Sequence, residues 1–230
     1  MKKIIVVAGL IAFSQAALAH TGLLPTDGFG HGFQHPFLGL DHFLVMLGLG
    51  LWASSQSRLL AQQAIGVFLL FMTAGALLGL AGIGFAYVET AILVSLLFVG
   101  MALSFGMTSI VPTLRRGNSV CNAPALRWDA GASDTAFPFM PQRVRRSVGT
   151  IIILTSIAAF AAMHGLAHGS EMPLDASAYA YTAGIISGTA VLHCSGLALG
   201  LIARRINAAG LLRVYGTLTG VIGAWLLFAA

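Results

Sequence analysis

The sequence predicts an all-α integral membrane protein, a bundle of six transmembrane helices left after a signal peptide is removed. Three observations predict it. The chain has 230 residues, 57% of them hydrophobic and only 8% charged, whereas water-soluble domains carry roughly 25% charged residues. After the N-terminal segment it holds six apolar runs, each near the ~20 residues that a helix needs to cross a bilayer. Every arginine falls on one side of that arrangement, in a gap or at the start of a run. The net charge of +5 combines Lys2 and Lys3 with the scattered arginines and forms no basic face, so a nucleic-acid partner is not expected and the lipid bilayer is. Cys121 and Cys194 have no CxxC spacing and make neither a zinc ribbon nor a disulfide framework.

Residues 1–19 read as a cleaved signal peptide. Lys2 and Lys3 form a basic start, Ile4 to Phe13 an apolar stretch, and Ala17-Leu18-Ala19 a small-residue cleavage site. The mature chain, 20–230, is then one membrane domain starting outside the cytoplasm. Residues 20–33 are a Gly-rich polar lead-in holding His20, Asp27 and His31. The first span covers 35–53, with Pro36 in its first turn, where a missing N–H costs nothing. The second covers 61–83 and the third 88–107, with Glu89 at its start. Residues 108–146 are a basic loop with four prolines and six arginines. The fourth span covers 148–169, the fifth 178–203 and the sixth 209–229.

With the mature N-terminus outside, the loops at 54–60, 108–147 and 204–208 lie inside. They hold every arginine but Arg213, which starts the sixth span on the same side. This is the positive-inside pattern. It agrees with the signal peptide and places a multi-pass protein in a bacterial inner membrane, its mature N-terminus periplasmic. The many glycines of the spans suit close helix packing and carry no chemistry.

Ionisable groups inside spans are costly and mark function by default. One cluster is His35, Asp41 and His42. On a continuous helix, His35 and His42 are seven residues apart and share a face. The other is His164, His168 and Glu171, at i, i+4 and i+7, which line one face if the helix runs through Gly169. The i, i+4 spacing lets one helix offer two imidazoles to one metal. Both clusters fall toward the outer side, so four histidines and two carboxylates make a candidate N/O metal site. The competing reading is a hydrogen-bonded polar knot holding helices together. His193, deep in the fifth span, is either a second metal station or a packing donor. After cleavage, His20 offers an amine and a ring nitrogen, and with His31 it forms a possible capture site or an uninvolved tail. Cys194 and Ser195 beside His193 hint only weakly at a hydrolase, because neighbours on a helix point apart.

At these residues the chain resembles the HupE/UreJ family of bacterial nickel permeases. Members of that family are similar in having a cleaved signal, six spans, an HxxxxxDH motif in the first span and an FHGxAHGxE motif in the fourth. His35 to His42 completes the first motif. Met163 to Glu171 completes the second, with Met163 in place of Phe. The loop at 108–146 looks like an insertion.

The resemblance implies that His35, Asp41, His42, His164, His168 and Glu171 bind metal. It implies a secondary permease, not an enzyme, taking up Ni2+ or Co2+ as substrate with no tightly bound cofactor. Nickel-enzyme maturation machinery for hydrogenase or urease is the implied partner. Spacing alone gives only a divalent metal preferring N and O donors. No phosphate-binding loop is present to couple ATP. The alternatives left open by the residues are an intramembrane metal-dependent hydrolase and a metal-sensing accessory protein.

Overall fold

The computed structural model describes residues 28–105, 142–172 and 176–229. The signal at 1–19, His20, Asp27 and most of the basic loop lie outside the described residues. Within them the regular structure is all helix: α1 (Gly28–Leu38), α2 (Leu40–Ala53), α3 (Arg58–Leu80), α4 (Val88–Ser104), α5 (Gln142–Ser170), α6 (Ala178–Arg205) and α7 (Gly210–Ala229).

The expected first span is not one straight helix. α1 and α2 meet at Gly39 with a bend of 81°. Gly39 is extended, with φ −79° and ψ 118°, so the i→i−4 ladder stops there. Pro36 lies near the end of α1, not in the first turn of a span. Its ring removes one ladder donor and weakens the helix just before the break. The lead-in is also helical from Gly28. Glycine disfavours a helix in isolation, but here packing overrides propensity. Gly32 is buried against α6, where a Cβ would run into the Tyr181 carbonyl.

Among the described residues, four helices are long and apolar enough to cross a membrane, Arg58–Leu80, Val148–Ser170, Ala178–Arg205 and Gly210–Ala229, and the bent α1–α2 pair together makes a fifth candidate. α4 has 17 residues. At 1.5 Å per residue it is about 25 Å long, a little under the ~30 Å hydrocarbon layer. α3 starts three residues earlier than expected because the Ser57 hydroxyl caps it, accepting from the Leu60 N–H at 3.3 Å. α5 starts six residues earlier than expected, inside the basic loop.

α3 packs along α5, α4 along α7, and both α1 and α2 along α6. The α3–α5 contact is backbone-close: a Cβ on Gly165 would strike the Met72 carbonyl. The core between the helices holds Met46, Leu49, Phe68, Met72, Ala161 and Leu192. Outward faces carry large apolar side chains such as Leu70, Ile151 and Val221, a surface suited to lipid. At one end of the bundle the Arg204 guanidinium donates to the Ser54 carbonyl at the end of α2. The opposite end holds the α1–α2 corner and the end of α5.

Candidate metal centre

The helical spacing of His164 and His168 brings both imidazoles into the bundle, where neither is exposed to solvent. α5 runs to Ser170, and the Glu171 N–H still bonds the Ala167 carbonyl at 3.1 Å. Glu171 therefore continues the same face. Its side chain is 52% exposed and stands at the mouth.

The α1–α2 corner supplies the other half. His35 comes from the last turn of α1, Asp41 and His42 from the first turn of α2. Seven-residue spacing on one helix is not what joins His35 to His42. The corner folds α1 back so that their rings lie 6.1 Å apart.

The six predicted residues form a row, not a single sphere. At the mouth, Glu171 Oε2 lies 3.2 Å from His35 Nε2. This hydrogen bond holds the Glu171 carboxyl below its ordinary range. His35, His168 and Glu171 offer ligand atoms within 4.8 Å of one another. His168 sits between His35 and His42, with ring separations of 4.7 and 4.6 Å. His164 follows, 5.3 Å from His42.

The unused nitrogens give the row its chemical character. His42 Nδ1 donates to Asp41 Oδ1 at 2.9 Å, and His164 Nδ1 donates to the Phe160 carbonyl at 2.9 Å. Each bond fixes the tautomer with a bare Nε2. Both of those nitrogens are buried without a partner, as are both nitrogens of His168. A buried polar atom left unpaired costs about 1–3 kcal/mol, so four together need a reason. Metal-binding histidines use this arrangement, one nitrogen held by a carboxylate or carbonyl and the other free for the ion.

The secondary histidines separate. His20 is outside the described residues. His31 is on α1, its ring 6.1 Å from Tyr181. His193 is buried beyond the row, past Phe68, whose ring lies 5.9 Å from His164 and 4.8 Å from His193. Cys194 and Ser195 are exposed on the outside of α6 while His193 points inward, so they do not form a Ser/His pair.

Sequence reasoning missed two neighbours. Tyr181 packs 6.4 Å from His35, with a buried, unpartnered hydroxyl. Phe68 lies between His164 and His193. Neither belongs to a polar spacing pattern, so only the fold brings them to light.

Gly39 guards the corner. A Cβ there would come 2.9 Å from His42 Nδ1 and 3.1 Å from Asp41 Oδ1. Gly39→Ala is expected to twist that pair off line and weaken metal binding on the order of tenfold, the scale for disturbed supporting contacts. Its melting temperature should stay near wild type. Calorimetric titration with Ni2+ reads the first and a thermal melt the second; unaltered affinity would refute this role for Gly39.

The HupE / UreJ protein family model matches residues 8–117 and 142–226. The unmatched stretch between them falls in the basic loop. Protein HupE of Rhizobium leguminosarum bv. viciae is 30% identical over 227 residues, covering 98% of this chain and 97% of that relative. No solved structure matches the chain.

Proposed function

The chain belongs to the HupE/UreJ family, and from that premise we propose that it is a secondary permease taking up a divalent transition metal, Ni2+ or Co2+. The observation that carries this reading is the row of imidazoles whose bare nitrogens are buried, running inward from a half-exposed carboxylate. A tight structural site would enclose one ion. A row offers successive, weaker positions, and conduction needs binding loose enough to release. Glu171 and His35 receive the hydrated ion. His168, His42 and His164 replace its water, while Asp41 balances its charge. Either facilitated diffusion or proton coupling fits these groups.

The topology proposed with this function has six crossings, counting the α1–α2 pair as one broken span and α4 as another. A signal at 1–19 is removed, and the chain sits in the bacterial inner membrane with the metal row facing the periplasm. Arg58, Arg204 and Arg205 lie near the other end, as the positive-inside pattern requires. The recipients of the metal are nickel-enzyme maturation factors. Cys194 and Ser195, exposed on the outside of α6, form no nucleophile pair with the inward His193.

Proteoliposomes carrying the purified chain should take up radiolabelled Ni2+ down its gradient. Tight, unexchanged metal with no uptake would overturn the permease. For topology, a reporter fused after residue 125 should read as cytoplasmic; a periplasmic signal would invert the arrangement.

A further inference from the structure

Inward of the row, three helices assemble donors that the outer site does not use. His193 is fully buried on α6. Its Nδ1 donates to the Thr189 carbonyl, one turn earlier, at 2.8 Å. That leaves Nε2 bare, buried and without a partner. The same Thr189 presents its hydroxyl, itself unexposed, to two sulfurs: Met46 Sδ on α2 at 3.4 Å and Met72 Sδ on α3 at 3.6 Å. Both methionines are fully buried.

A buried methionine alone is ordinary core filling. Here two thioethers share one hydroxyl, whose own residue also holds the Nδ1 of an imidazole with a bare nitrogen. The repeated feature is the tautomer. His193 is held as His164 is, with Nδ1 on a carbonyl four residues back and Nε2 free. Phe68 separates the two histidines.

We propose that His193, with the thioethers of Met46 and Met72, forms an inner station for the transported cation, divided from the outer imidazole row by the Phe68 ring. This rests on the permease reading. The two stations differ in donor type. The outer mouth includes carboxylates, which also suit Mg2+ and Ca2+. The inner set is imidazole and thioether, which hard cations bind poorly and softer transition metals bind well. The inner station therefore selects: a hard ion that enters at Glu171 finds no adequate replacement for its water beyond Phe68. An ion at each station also lets an arriving ion loosen the one ahead, as multi-site pores do.

The test uses the full chain carrying Cys121→Ser and Cys194→Ser, so that methionine is the only protein sulfur left. Equilibrium binding of radiolabelled Ni2+ and X-ray absorption at the nickel edge are measured beside uptake in proteoliposomes. The expected result is two ions per chain, with sulfur among the ligand atoms. Met46→Leu with Met72→Leu, a volume-conserving change, should leave one ion bound, remove the sulfur signal and lower uptake on the order of tenfold, the scale of a weakened metal shell. His193→Gln should likewise leave one ion. A nitrogen-and-oxygen spectrum, with uptake unchanged in the double leucine variant, overturns the inner station and leaves the permease standing. A wild-type chain that takes up no metal overturns the permease itself. If the double variant does not fold, the spectrum of the parent chain decides: sulfur supports the station and its absence removes it.

Discussion

His168→Ala is expected to cut Ni2+ uptake severely while the bundle stays folded. His168 is the middle of the row, 4.7 Å from the His35 ring and 4.6 Å from the His42 ring. It is the only row member with both nitrogens buried and unpartnered. Removing it leaves the mouth, His35 and Glu171, facing the inner pair, His42 and His164, only across the 6.1 Å between the His35 and His42 rings. An ion held at the mouth then loses the imidazole that stands between His35 and His42. Uptake should fall on the order of 100-fold, at least the upper end for loss of supporting contacts around a metal.

Stability should move little, because two terms oppose. The alanine leaves a cavity, which in cores costs about 2–5 kcal/mol for a large side chain. It also removes unpaired buried nitrogens, which cost about 1–3 kcal/mol. Uptake assays and a thermal melt in detergent measure the two sides. A variant that transports normally would show that His168 only packs.

Gly165→Leu should do the reverse and damage the fold first. Gly165 is one residue from His164, yet its role is purely steric. A Cβ there meets the Met72 carbonyl carbon at 2.7 Å and the Ala76 nitrogen at 2.8 Å. These are backbone atoms of α3, so they yield only if the two helices part. Overpacking of this kind costs about 3 kcal/mol. Parting α3 from α5 also moves His164, His168, Phe68 and Met72 together, so uptake falls with stability. Gly66→Leu, on α3 itself, is the matching control. A Cβ on Gly66 would meet nothing within 4 Å, so the effect should stay within about 0.5 kcal/mol. Equal melting temperatures for the two variants would contradict the close-contact account.

The α5 half of the site was legible because its chemistry follows helical period. His164, His168 and Glu171 recur at i, i+4 and i+7, and a regular helix through Gly169 puts them on one face. The α1–α2 half was legible in its residues but not in its geometry. A glycine inside an apolar run normally stays in a membrane helix, so nothing local marks Gly39 as a corner. The helix in the Gly-rich lead-in was hidden for a related reason. Its stability comes from contact with α6, which propensity does not see. Tyr181, Phe68, Met46 and Met72 read as apolar filler in sequence. Only the crossing of α2, α3 and α6 shows which polar groups they meet.

The corner at Gly39 also sets the local field. Peptide dipoles align along a helix, leaving its C-terminal end partly negative and its N-terminal end partly positive, each worth about 0.3–1 kcal/mol to a nearby charge. α1 ends at Leu38 beside His35, and α5 ends at Ser170 beside Glu171, so two negative helix ends flank the mouth. A straight first span would have provided only one. α2 begins at the same corner and turns its positive end toward the row. Asp41, in the first turn of α2, places a carboxylate on that end. The mouth is thus an electrostatic well to which the backbone adds two helix ends beside the Glu171 carboxylate, and Asp41 levels the step that an ion climbs on leaving it.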